Sequence, residues 1–477
     1  MAPLPWQSSA VPDVDAVVVG SGPNGRVAAV RLAEAGLRGV VLEAAARAGG
    51  GLRTEEVTLP GFRHDVCSTV HALAPASPAF RALGLEREGL RFARPDVPLA
   101  HPLDDGAVLL PSDLAQAVHA LGRDGAAWAR LVGGVARHGV DDVLTPLDVP
   151  RDPLRFLEFG ARALWPADGV ARALFREEGT RALFAGIAGH AVLPLRSPAT
   201  TAYALVLGGL AHRTGWPVAV GGSQSIADAL QARLESLGGE VRTGHRVDAL
   251  EQLPSARHVL LDLTPRQVLR IAGRWLPPAY ARRLGRYRYG AGVFKVDWAL
   301  DGPVPWRDPE VGRAATVHLG GSLGAIAASE EVVARGQHPA LPYVIAVQAT
   351  VADPSRAPEG KHTLWAYCHV PHGSRLDMTE PIEAQVERVA PGFRDRVLAR
   401  ASWDTAALEA HDANEVGGDI SGGAGDWRQL LTRPVAARRP WATPVDGLYL
   451  CSASTPPGGG VHGMCGWLAA GEVLRRA

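Results

Sequence analysis

The chain of 477 residues is short of cysteine, of net charge and of long apolar runs, and each shortage removes a class of function. Its four cysteines, Cys67, Cys368, Cys451 and Cys465, match neither a disulfide framework nor a metal-ligand spacing. No metal is expected, and the cysteines read as free thiols in a reducing compartment. Lys and Arg (49) balance Asp and Glu (49), so the formal net charge is zero. Nothing in that balance suits nucleic acid or an anionic membrane surface. The longest stretch free of charge and His, 197–211, falls short of the roughly 20 apolar residues that span a bilayer, and the first fourteen residues lack a signal-peptide pattern. A soluble, cytoplasmic protein with no integral membrane segment is expected, its oligomeric state left open. No repeat or low-complexity tract is present.

What the chain does have is glycine in two informative places. A β-branched run at 15–19 ends in Gly20-Ser21-Gly22-Pro23-Asn24-Gly25, helical spacing follows over 26–35, and a second apolar run at 40–42 ends in Glu43 and Ala44. Strand, glycine turn, helix, strand and acid form the βαβ unit that binds the ADP half of a dinucleotide. Gly20 permits the tight turn, Gly22 the approach of the pyrophosphate, and Gly25 close packing of helix on strand. The helix N-terminus offers unpaired N–H groups to phosphate, and Glu43 stands where ribose hydroxyls would donate. Arg26, where an apolar residue is usual, is expected at the surface.

Near the other end, a strand at 443–451 leads through Gly458-Gly459-Gly460-Val461-His462-Gly463 into a terminal helix at 461–475. Glycines before a helix let main-chain N–H groups approach the pyrimidine edge of a flavin, and the positive helix end favours negative charge there. Two glycine-rich segments at opposite ends of the chain point to one large cofactor gripped from both sides, FAD.

Between them, 99–215 shows Ala, Leu, Arg and Trp at helical spacings broken by prolines, a helical insertion covering a pocket. Its apolar residues Leu157, Phe159, Leu164, Phe175, Leu183 and Phe184 are expected first as core and second as substrate lining. A glycine turn at Gly221-Gly222 and a capped helix resume the nucleotide domain, followed by a strand at 240–249 that places Val247 at the cofactor, and another at 259–263. Strand-like runs at 292–301, 344–350 and 362–369 suit a sheet walling a substrate pocket. The expected architecture is α/β: a Rossmann-type FAD-binding domain (glutathione reductase-like, amine oxidase-like) from 1–98, 216–285 and 440–477, with an interleaved α+β substrate domain at 286–439 and the helical cap at 99–215.

Candidates for chemistry are few. Lys295, isolated in an apolar strand, must snorkel, pair with an acid such as Asp297, or be used. His71, His190 and His462 are candidate bases or substrate contacts, because imidazole titrates near neutral pH.

The glycine turn, Gly49-Gly50-Gly51-Leu52-Arg53-Thr54, and the segments 59–68, 294–303 and 448–466 together resemble the phytoene desaturase-like flavoproteins. The likeness is to the bacterial NAD(P)/FAD-dependent oxidoreductases near pyridine nucleotide-disulphide oxidoreductase domain-containing protein 2. That resemblance implies that Gly49, Gly50, Gly51 and Arg53 belong to a second pyrophosphate contact and that Val247 meets adenine through its main chain. It puts Gly460, Val461 and His462 at the flavin ring. It aligns Lys295 with the lysine that holds a water at flavin N5 in monoamine oxidase-like enzymes. Where many relatives carry an Asp that holds the ribityl chain, this chain has Ala453. The implied activity is an FAD-dependent dehydrogenase or desaturase taking a hydride from a hydrophobic lipid, polyene or secondary metabolite. Three alternatives stand beside it: a redox-neutral or reductive isomerase or cyclase, an amine oxidase, and a non-catalytic prenyl carrier. Intact Gly20, Gly22, Gly25 and Glu43 oppose the last.

Overall fold

The fold is taken from a computed structural model that describes residues 4–7 and 13–476. Ala16, Val17, Val18 and Val19 are all buried, which requires a strand covered on both faces. They lie in the middle of a five-stranded parallel sheet ordered Leu448–Leu450, Ala256–Leu261, Val14–Val19, Gly39–Leu42 and Glu240–Arg242. Val17 pairs with Val40 on one side and Val259 on the other. The two ends of the chain thus come within two strands of each other, with Ala256–Leu261 between them. Because all five strands are parallel, the glycine turn, Asp262 and Cys451 leave the sheet at the same carboxyl edge, where such sheets bind ligands.

Helix Pro23–Glu34 crosses the terminal helix Met464–Leu474 in direct contact. A Cβ on Gly466 would lie 1.8 Å from the Asn24 carbonyl oxygen, so only glycine allows that crossing. Each helix differs slightly from its expected span. The first begins at Pro23, which needs no N–H at a helix start, and the last begins after Gly463, whose φ of +66° ends the preceding turn.

The second sheet has seven strands, ordered Val397–Trp403, Gly292–Leu300, His362–Val370, Val344–Val347, Ala314–Leu319, Val97–Leu103 and Gly106–Leu110. All neighbours are antiparallel except Ala314–Leu319 with Val97–Leu103. The last two strands correct the expected helical content of 99–215: that segment opens with a hairpin of the seven-stranded sheet. Its β-branched and apolar residues satisfy the ladder, while helical spacing begins only at Leu114–Ala120.

From there to Thr200–Arg213 the chain is helical. Phe175, Leu183 and Phe184 are core beside Trp128, whereas Leu157 and Leu164 are 69% and 57% exposed. The strand expected over 240–249 ends at Arg242. Gly244, with φ +65°, turns the chain so that His245 N–H reaches the Glu43 carbonyl (2.7 Å) instead of extending the ladder. The four cysteines are free, and among the described residues no helix is long and apolar enough to cross a membrane.

Candidate active site

One cavity of about 370 Å³ joins the two sheets. At one end it is lined by Gly22, Asn24, Gly51, Asp262, Ala453, Gly460 and Val461, and at the other by Val293, Lys295, Ile345, Val347, Trp365 and Tyr367 of the seven-stranded sheet. Helix Thr200–Arg213 and the residues after it add Leu207 and Trp216. The first set is backbone-rich and polar. The second is apolar and aromatic, with one cation.

The polar end has the build of a dinucleotide cradle. A Cβ on Gly25 would stand 2.2 Å from the Gly20 carbonyl oxygen, which fixes the tight turn. The loop carrying Gly49, Gly50 and Gly51 closes on that turn, since a Cβ on Gly50 would lie 3.0 Å from the Gly22 Cα. Glu43 accepts from Ser21 N–H (2.9 Å) and Ser21 Oγ (2.6 Å) at Oε2 and from Ala45 N–H (2.8 Å) at Oε1, and Oε1 keeps a free lone pair. Ala44 is exposed beside it, and Pro23 lines the cavity. Val247 buries its side chain with Val17, Val40 and Leu42. The buried side-chain oxygen Oδ1 of Asn24 has no hydrogen-bond partner among the described residues, and Asn24 lines the cavity. Arg53 donates through Nε to Gly50 O (3.1 Å) and also to His411 O, tying the second glycine loop to the 411–415 segment. These residues fit a dinucleotide.

Arg26 corrects the surface expectation. It is fully buried between Pro23–Glu34 and Gln224–Ser236, donates to Ala227 O, and is pushed down to about 10 by burial.

Lys295 is 3% exposed and bonds both oxygens of Asp297, at 2.7 and 2.5 Å. The two lie two residues apart on one face of Gly292–Leu300, which alternation requires. Asp297 also accepts from Trp403 Nε1 (3.0 Å) and lies 3.5 Å from His64 Nδ1. Burial alone would raise its carboxyl, but the Lys295 cation and these hydrogen-bond donors hold it below the usual range. Lys295 therefore both pairs with the acid and lines the cavity, its Nζ 5.4 Å from the Trp365 ring centre.

The three histidines separate. His71 lines the cavity, and its Nε2 contacts Ser223 Oγ at 2.9 Å. Because Ser223 donates its own hydrogen to Ser68 O, the His71 Nε2 must donate, leaving Nδ1 unprotonated and unpartnered. Burial pushes His71 down to about 4, so that nitrogen is a weak base. His190 lines the cavity and shares a 3.0 Å contact with His318 through the two Nε2 atoms, burial holding it down to about 3. His462 corrects the expectation of a base: its Nδ1 accepts from Met464 N–H (3.0 Å), its Nε2 donates to Gly458 O (3.2 Å), and it is not among the cavity residues. It caps the terminal helix instead, and so takes one of the N–H groups assigned above to the flavin edge.

Sequence reasoning missed four acids on the cavity wall, the buried Asp262, Glu415 and Asp419 and the half-buried Asp412. Burial raises all four, Asp262 and Glu415 to about 8. Asp262 was readable only as the start of a turn into helix Pro265–Ala272. Its one sequence signal is an acid placed directly after an apolar strand.

The Rossmann-like NAD(P)-binding domain model matches residues 18–83. Pyridine nucleotide-disulfide oxidoreductase domain-containing protein 2 of Rattus norvegicus is 26% identical over 97% of this chain and 94% of that protein. Phytoene desaturase (neurosporene-forming) of Rhodobacter capsulatus is 24% identical over 96% and 93%. The structure of wild-type putrescine oxidase bound to putrescine superposes with a TM-score of 0.64 at 19% identity, covering 97% of this chain and 99% of that one, a likeness of fold. The chain thus carries a Rossmann-like NAD(P)-binding domain and is homologous to pyridine nucleotide-disulfide oxidoreductase domain-containing protein 2 and, more weakly, to phytoene desaturase.

Proposed function

We propose that the chain binds one FAD and oxidises a C–H bond of a hydrophobic substrate held against the seven-stranded sheet. The observation that carries this reading is the single cavity whose backbone-rich end lies on the glycine turn and whose other end is apolar. Glycines 20, 22, 25, 50 and 51, with Glu43, would hold the dinucleotide, and the main chain at Ala453, Gly460 and Val461 would meet the ring. Bound FAD supplies hydride acceptance at N5. The chain's own contribution is to orient and to dry. Val293, Ile345, Val347, Leu207 and Trp216 present apolar surface, and their burial excludes water from the reacting bond. Lys295, held by Asp297, places a fixed cation with N–H donors at the apolar end, able to hold a water. His71 offers a free Nδ1 acceptor, too weak a base at neutral pH for a demanding proton abstraction. Loss of hydride also releases a proton, which a water held at Lys295 would carry away.

The amine oxidase alternative lacks a matching feature here. Trp365 and Tyr367 stack on each other with centroids 5.6 Å apart and planes 15° apart, which is ring-to-ring contact and leaves no slot for an amine between them. The test uses FAD-loaded protein mixed anaerobically with phytoene, shorter isoprenoid alkenes and, in a parallel arm, putrescine. Lasting bleaching of the flavin band by an apolar member and none by putrescine is expected. Bleaching by putrescine alone overturns the reading, and product without lasting bleaching transfers it to a redox-neutral isomerase or cyclase.

A further inference from the structure

Three buried elements meet at Asp262. It follows strand Ala256–Leu261, one strand from the glycine turn and one from Leu448–Leu450. Its Oδ2 accepts the Gly25 N–H at 2.8 Å and would lie 2.8 Å from a Cβ on Gly22 and 3.0 Å from one on Gly25. A Cβ on Gly20 would meet the Asp262 main-chain oxygen at 2.9 Å. All three glycines of the turn are thus packed under this one residue. The helix Pro23–Glu34 has no side-chain cap of its own, and Asp262 takes the N–H of its third residue. Asp262 Oδ1 makes no hydrogen bond among the described residues, and the adjacent, buried Asn24 Oδ1 is likewise unpartnered. Both side chains line the cavity.

We propose that Asp262 is a cofactor-binding residue that acts as a neutral carboxylic acid, its Oδ2 holding the helix start and its Oδ1–H donating to the pyrophosphate oxygens at the glycine turn. Ala453 lines the same cavity, and Ser452 Oγ donates to Leu263 O (2.8 Å), which ties the two segments together. This inference rests on the flavin reading. A carboxylate here would face two phosphates across a dry cradle and repel them, whereas the neutral acid offers a donor. Burial raises the group to about 8 against the Gly25 N–H, which favours the carboxylate, and Asp412 from the 411–415 segment and Glu43 from the second strand add to the rise. Cys451 and Cys465 also face it, both raised by burial and uncharged at neutral pH. Glu415 shares the cavity and a value of about 8 but faces Cys67 and Asp412.

The test is equilibrium binding of FAD to cofactor-free protein, followed by flavin fluorescence, with riboflavin as the control that lacks phosphate. The wild type is expected to lose affinity for FAD about tenfold between pH 7 and pH 9, as the neutral fraction falls, while riboflavin binding stays level. Asp262→Asn keeps the Gly25 contact and stays neutral, so its FAD affinity should match the wild type at pH 7 and not fall by pH 9. The same slope in the variant, or a level wild-type profile, overturns the inference. If no FAD binds at any pH, the flavin reading fails instead. Titration with ADP, which carries the same pyrophosphate, then decides the role of Asp262 by the same slope.

Discussion

At the scale of the residue, the most consequential group is Lys295, one of two lysines in the chain. Its oddity is legible in one dimension, because a lysine in an apolar strand demands a partner. Which partner it takes follows from alternation, which places Asp297 on the same face. Replacing Asp297 by Ala leaves a buried ammonium unpaired and should cost about 3–5 kcal/mol, read as a lowered urea midpoint. Lys295→Met should leave FAD affinity unchanged and slow flavin reduction on the order of 10²-fold in stopped flow. A parallel loss of FAD would move Lys295 from the substrate side to the cofactor side. His462 shows the opposite limit of sequence reading: its place in a glycine turn suggests chemistry, but the hydrogen bonds that occupy both nitrogens depend on how that turn closes. Asp262 was less legible still, since nothing local says that 256–261 pairs between the first strand and the last.

At the scale of the element, the βαβ unit was legible because turn, helix, strand and acid are contiguous. The hairpin Val97–Leu103 and Gly106–Leu110 was not, because its partner, Ala314–Leu319, lies two hundred residues away and its own composition merges with the helical text that follows. The crossing of Pro23–Glu34 and Met464–Leu474 at Gly466 couples the chain ends to the cofactor cradle. Gly466→Ala drives a methyl into the Asn24 carbonyl, and a loss of about 1–3 kcal/mol is expected from overpacking. FAD retention should fall with it, because Asn24 belongs to the turn; equilibrium dialysis alongside denaturation checks both. Stability lost with FAD binding intact would separate the crossing from the cradle.

At the scale of the molecule, burial of ionisable groups sets a pH optimum for the cofactor-free protein. His71, His101, His190 and His462 are held down to about 4, 4, 3 and 4 by burial, so unfolding lets them take up protons below about 6.5. Their contribution is fully present above that pH and is lost as pH falls toward 4. Asp262 and Glu415, raised to about 8, act oppositely. The native state keeps protons that the unfolded chain has released above about 4, so stability declines as pH rises toward 8. With His212, His258, His318, His362 and His411 also lowered, and Asp412 and Asp419 also raised, nine histidines outweigh four acids below 6.5, and above it the acids remain. A maximum in Tm near pH 6.5 is expected, and Asp262→Asn should flatten the alkaline side. A Tm that climbs steadily to pH 8 would contradict the neutral acids.

Whether the two glycine-rich ends grip one flavin is tested most directly by the stoichiometry of cofactor binding. Titrating cofactor-free protein with FAD at pH 7, followed by absorbance and by mass of the complex, should give one FAD per folded chain with a perturbed flavin band. A folded chain that takes up no FAD, or binds NAD(P)H in its place, would contradict it.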